Sequence, residues 1–142
     1  MAGSSEGLSE LNAFDGALLK AGVANVNLVK ISSILPPGAE YGEKLDIPPG
    51  SLVPTAYGTI VSGDRGEKIA AAVSVGLSKD SFGVIMEFAG RCGQAEAEDK
   101  VRQMVEEAFK IRALPIAKVM VRGVEHVVAD TGCAFAAVVL WY

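Results

Sequence analysis

Asn27-Leu28-Val29-Lys30-Ile31-Ser32-Ser33-Ile34 is the stretch on which the reading of this chain turns. Leu28, Val29, Ile31 and Ile34 give it the aliphatic content of a strand, and Pro36-Pro37-Gly38 interrupts the pattern just afterwards. The stretch therefore predicts a strand ending in a turn, with two adjacent serines where strand meets loop. A hydroxyl below the surface must find a hydrogen-bond partner, so two in a row are a poor choice for packing alone. Serine oxygen is also a latent nucleophile, and the nearest carbonyl it can be set against is that of the preceding residue. The competing reading is plain. Serines near strand ends usually satisfy turn backbone groups, and on the pair alone that is the reading to expect.

Upstream, residues 1–7 are small and polar and read as a flexible or turn-forming lead. Phe14, Ala17, Leu18 and Ala21 recur at helical spacing, predicting a helix from about Asn12 to Ala21 that is closed by Gly22. Downstream, a loop from Leu35 to Gly50 carries Pro36-Pro37-Gly38 and Pro48-Pro49-Gly50, and loops of that length tend to be functional or to cover something. Leu52 to Ser62 reads as a strand whose Pro54 marks an edge. Gly63-Asp64-Arg65-Gly66 reads as a hairpin turn into a return strand, Lys68 to Leu77, and Phe82 to Phe88 as the third strand of a meander. An amphipathic helix follows from about Gln94 to Arg112, with Val101, Met104, Val105, Ala108 and Phe109 on one face. Ile116 to Val128 and Cys133 to Tyr142 are the closing strands, joined at Ala129-Asp130-Thr131-Gly132. About six strands and two helices with mostly hairpin connections make an α+β fold rather than a doubly wound sheet.

The 142 residues suit a single domain, residues 1–142. A net charge of −4, with Lys and Arg scattered rather than striped, argues against nucleic acid. Half the residues are hydrophobic and the mean hydropathy is +0.33. Yet no apolar run approaches the ~20 residues of a membrane helix, so the excess points to a thick core or a subunit interface in a homo-oligomer. Ala2-Gly3-Ser4-Ser5-Glu6-Gly7 lacks the basic and apolar segments of a secretory signal. Cys92 and Cys133 form no CxxC, and with the single His126 there is no zinc set. The expectation is a cytoplasmic protein with reduced thiols and no metal.

Four further residues bear on chemistry. Glu87 stands in the apolar strand Phe82-Gly83-Val84-Ile85-Met86-Glu87-Phe88, where an ionised, unpaired carboxylate would be expensive; alternation could equally turn it to solvent. Asp15 would sit in the first turn of its helix, where a carboxylate complements the dipole without further purpose. Asn27 could donate to an oxyanion near Ser32 or merely to backbone. His126 lies on a strand with no second ligand type nearby, a setting that favours a structural role. No phosphate loop and no Ser/His/Asp set is present, which leaves a conventional kinase, hydrolase or dehydrogenase unsupported.

Several stretches together resemble one family. They are Ala2-Gly3-Ser4-Ser5-Glu6-Gly7, Leu11-Asn12-Ala13-Phe14-Asp15-Gly16-Ala17-Leu18-Leu19, Asn25-Val26-Asn27-Leu28 and Ile31-Ser32-Ser33-Ile34-Leu35-Pro36-Pro37. Leu52-Val53-Pro54-Thr55-Ala56-Tyr57-Gly58, Ile85-Met86-Glu87 and Gly132-Cys133-Ala134-Phe135-Ala136-Ala137 with Leu140-Trp141-Tyr142 continue the match. Over essentially its whole length the chain resembles the archaeal-type pyruvoyl-dependent arginine decarboxylases. The resemblance implies an αββα sandwich of four layers, mostly antiparallel, with two main helices. It also implies a trimer with active sites between neighbouring subunits. Relatives carry further residues ahead of the Ala2–Gly7 segment, which would add a strand.

By the same resemblance, the domain cleaves itself between Ser32 and Ser33 into 1–32 and 33–142. Ser33 Oγ attacks the Ser32 carbonyl, Asn27 holds the oxyanion, and elimination leaves a pyruvoyl group derived from Ser33. That group would form a Schiff base with arginine and act as electron sink, with neither metal nor pyridoxal phosphate. Glu87 would return a proton to Cα and Asp15 would hold the guanidinium, giving agmatine and carbon dioxide. Two other readings stay open at this point: a pyruvoyl decarboxylase for another amino acid, and an uncleaved trimeric binding or structural module of the same fold.

Overall fold

A strand buried on both faces shows no alternation, and Gly132–Val139 is such a strand. It is β8 in the computed structural model, which describes residues 1–142. In chain order the elements are β1 (Ala2–Glu6), α1 (Glu10–Ala21), β2 (Asn27–Lys30), β3 (Ile34–Leu35) and β4 (Leu52–Ser62). Then follow β5 (Lys68–Leu77), β6 (Gly83–Gly90), α2 (Gln94–Ile111), β7 (Lys118–Val127) and β8. Cys133, Phe135 and Ala137 of β8 pack under Ala13, Ala17 and Leu18 of α1. Ala134 and Ala136, on its other face, meet Ile69, Ala71 and Val73 of β5. The alternate face of β5, Ala70 and Ala72, lies under Ala97 and Val101 of α2.

Two four-stranded sheets result, ordered β1-β8-β4-β2 and β3-β6-β5-β7. Every pairing is antiparallel except β2 with β4, and with the two helices this is an α+β fold. No helix is long and apolar enough to cross a membrane.

The expected strand from Asn27 to Ile34 is in fact two. β2 pairs with β4 in the first sheet, β3 pairs with β6 in the second, and the serines lie in the crossing. Residues 1–7 are not a loose lead: Ala2–Glu6 runs antiparallel to β8 as an edge strand. The expected hairpin at Gly63–Gly66 is a corner instead, and like the joint at Ala129–Gly132 it carries the chain from one sheet to the other. Only β5 and β6 form a hairpin between consecutive strands. A corner between facing sheets needs the same polar and glycine residues as a hairpin, so composition does not tell them apart. Pro54 lies in an interior strand, but it stands opposite Leu140, past the end of β8, where its carbonyl accepts from the Leu140 N–H and only the reciprocal bond is missing.

Helix α1 begins two residues earlier than its apolar spacing indicates. Ser9 caps it by accepting from the Asn12 N–H at 3.2 Å, and Glu10 is the acidic residue of its first turn. Gly22, at φ 86°, ends it with paired bonds from Gly22 and Val23 back to Leu19 and Leu18. Asp15 is therefore the sixth helical residue, beyond the turn where the dipole would account for it.

Candidate active site

Three residues, Ile31, Ser32 and Ser33, carry the chain from β2 to β3 and so from one sheet to the other. The Ile31 N–H still donates to Thr55 O of β4 at 3.1 Å. The Ser33 carbonyl already accepts from the Ile85 N–H of β6 at 2.8 Å. The Ser32–Ser33 peptide hangs between these anchors. The Ile34 N–H turns back to Ser32 O at 2.9 Å, closing a three-residue turn centred on Ser33. Ser33 is not among the residues with positive φ, so the turn is the relaxed inverse form. Ser32 is exposed and Ser33 half-buried.

Strand pairing sets what Ser33 faces. Ile34 stands opposite Val84, which puts Ser33 opposite Ile85 and diagonally across from Glu87. Diagonal neighbours on one face lie about 7–8 Å apart, within reach of a long side chain. Ser33 Oγ donates to Glu87 Oε2 at 3.4 Å, a long contact at the weak end of hydrogen bonding. Glu87 alternates with Ile85, which packs on Ala56 of the first sheet, so the carboxylate points between the sheets and is half-buried. Gly58 of β4 allows the sheets to close here. A Cβ at that position would lie 3.0 Å from Phe88 O, one residue from Glu87.

Of the residues singled out from sequence, the fold brings Ser32, Ser33 and Glu87 together within one chain. It does not bring Asn27 or Asp15 to them. Asn27 Nδ2 donates to Gly50 O at 2.9 Å, at the far end of β2, about 10 Å along the strand from Lys30. Asp15 is exposed on α1, and the first sheet stands between that helix and Glu87. Lys30, just ahead of the crossing, donates to Tyr57 O at 3.1 Å and lies 4.7 Å over the Tyr57 ring.

His126 belongs to a different assembly, one that sequence reasoning missed. Glu6 of β1 accepts from the N–H groups of Ala129, Asp130 and Thr131 at 3.0, 2.9 and 2.9 Å, and pairs with His126 Nε2 at 2.5 Å. The Ala129 N–H first, then His126 and the remaining N–H groups, hold the Glu6 carboxyl down at about 2. The cluster pins the β7–β8 corner. No periodicity marks it, because its donors are backbone groups.

What fold and site define is an α+β protein with a serine–carboxylate pair at a crossing between two sheets. The sequence profile of the family described as "Pyruvoyl-dependent arginine decarboxylase" matches residues 1–142. A protein named pyruvoyl-dependent arginine decarboxylase from Methanocaldococcus jannaschii is 53% identical, covering 100% of this chain and 87% of its own length. Proteins of the same name from Methanococcus aeolicus and Pyrococcus abyssi are 51% and 46% identical, each over 100% of this chain and over 87% and 92% of their own lengths. The chain belongs to the pyruvoyl-dependent arginine decarboxylase family. That membership makes it an enzyme, with arginine as substrate and a pyruvoyl group as cofactor.

Proposed function

We propose that this chain converts its own Ser33 into the pyruvoyl group and then decarboxylates L-arginine to agmatine. The observation that carries the reading is the Ser33 Oγ–Glu87 Oε2 contact of 3.4 Å, made beside the Ser32–Ser33 peptide, whose carbonyl accepts from the Ile34 N–H. A hydroxyl facing a carboxylate can give up its proton as it attacks, and the carbonyl next to it is that of Ser32. Elimination from the resulting ester releases residues 1–32 with a carboxyl terminus at Ser32. Hydrolysis at residue 33 then expels ammonia and leaves the ketone. The residues present fit such a group: the Ile85 N–H, which now holds Ser33 O, would hold it, and Glu87 would face it.

A pyruvoyl group at residue 33 would supply a carbonyl able to condense with the substrate amine and to act as electron sink for decarboxylation. Glu87 holds the proton that replaces the carboxylate on Cα. The guanidinium needs a carboxylate, for which a planar fork is well suited, and Asp15 is the one we assign. Its exposure, its place beyond the dipole's reach and its separation from Glu87 by a whole sheet support delivery into a neighbouring copy's site. Val29 and Ile34, which flank the crossing, are 44 and 43% exposed, and this supports a homo-oligomer, a trimer by family likeness, closing over it. Asn27 would act in that assembled site.

The experiment is direct. Purified protein should show two bands on a denaturing gel and release agmatine from arginine but not an amine from lysine or ornithine. Ser33→Ala should show one band and no turnover. A wild-type chain that stays full length after prolonged incubation would refute the proposal.

A further inference from the structure

We infer that the backbone N–H of Ile34 is the oxyanion donor for the rearrangement at Ser32–Ser33. This rests on the reading that the chain processes itself there. An oxyanion donor has to stand 2.7–3.1 Å from where the charged oxygen forms, ready before the reaction begins. The Ile34 N–H already stands 2.9 Å from Ser32 O, the oxygen that takes the charge. Asn27, the side chain expected in this role, is bonded to Gly50 O in the same chain.

The turn is preorganised from both sides. Pairing of Ile34 with Val84 and of Leu35 with Gly83 holds β3, and the Ile85 N–H holds Ser33 O. As Ser33 Oγ bonds to the Ser32 carbonyl carbon, the carbonyl π pair moves onto Ser32 O and the hydroxyl proton passes to Glu87. Collapse then breaks the C–N bond and the proton ends on the Ser33 nitrogen. The product is an ester and a free amine, with no co-reactant consumed. Through this sequence Ser32 O gains charge within hydrogen-bond distance of an N–H that lies on the reacting turn itself. The residue following the nucleophile thus serves the reaction through its backbone alone, whatever its side chain.

The test replaces single backbone amides by esters. Full-length chain is made with the α-hydroxy acid analogue of isoleucine at position 34, which deletes that N–H and keeps the side chain. The same replacement at Ile85 deletes the N–H that anchors Ser33 O. Appearance of the 33–142 chain is followed on denaturing gels. Loss of one oxyanion donor predicts about 10²–10³-fold slower cleavage for the Ile34 ester, and an effect well below that for the Ile85 ester. Equal rates in the Ile34 ester and the natural chain overturn the inference. So does equal slowing in both esters, since a loosened anchor then explains it. Failure of the natural chain to cleave removes the processing reading itself, and this inference with it.

A second measurement needs no ester. In uncleavable Ser33→Ala protein, the Ile34 amide should exchange with deuterium far more slowly than an open chain amide. Exchange at the open-chain rate would show that the donor is not in place.

Discussion

Three times the chain crosses between its two sheets by a short connection, and each crossing has a glutamate beside it. At the β4–β5 corner Glu67 accepts from Ser62 and from Arg91 Nε, the latter at 2.6 Å, and the Ser62 hydroxyl bond lowers its pKa first among these. At the β7–β8 corner Glu6 gathers three backbone N–H groups and His126. At the β2–β3 crossing Glu87 has one long contact, from a serine hydroxyl. A carboxylate saturated with donors is committed to its charge and to its place. Glu87, with its acceptor capacity largely free, can exchange a proton with whatever stands before it. Two corners are fastened; the third is left open to chemistry.

That contrast can be broken most sharply at Glu87. In protein that has already processed, Glu87→Gln keeps the shape but supplies no proton, and agmatine release should fall by about 10²–10⁴-fold. A processed variant working at the wild-type rate would assign the proton to another acid. Asp15→Asn comes next. Losing one side of a charge-assisted pair costs about 1.5–3 kcal/mol, so kcat/KM for arginine should drop by roughly 10–150-fold while cleavage proceeds normally. Unchanged arginine kinetics would remove Asp15 from the site.

The smallest effect belongs to a fastened corner. The Glu6 carboxyl is held at about 2 in the folded chain, against 4.5 for the free group. Its contribution is therefore complete above 4.5 and is lost as the pH falls from there toward 2. Comparing melting temperature with pH for wild type and Glu6→Gln, the gap should be constant near neutrality and narrow in acid. Arginine turnover by the variant at neutral pH should be close to wild type. A gap that widens as the pH falls would contradict the carboxylate's role.

Patterned segments were legible from the residues. β4 and β5 have the bounds expected of them, and the stripe of Val101, Val105, Ala108 and Phe109 placed α2 to within a residue. β1 was not legible, because Ala2-Gly3-Ser4-Ser5-Glu6 has little apolar surface. It earns its place by backbone pairing and by Gly3, where a Cβ would lie 2.4 Å from Ala17 O of α1. The split at Ser32–Ser33 was not legible either, since a strand that changes sheets keeps a strand's composition. Glu87 could be suspected from its apolar neighbours, but its pairing with Ser33 needed the register of β3 on β6. Asn27 and Asp15 could be picked out as polar candidates but took specific roles only through resemblance, and one chain does not bring them to the serines.

The claim at the centre is that Ser33 becomes a carbonyl in the mature protein. Reduction with borohydride, followed by mass spectrometry of the peptide that begins at residue 33, tests it without reference to turnover. The account predicts that this peptide starts with a pyruvoyl group, gains two hydrogens on reduction, and is absent from Ser33→Ala protein. A serine still joined to Ser32, or a cleaved chain whose residue 33 keeps an amine and takes up no hydrogen, would contradict it.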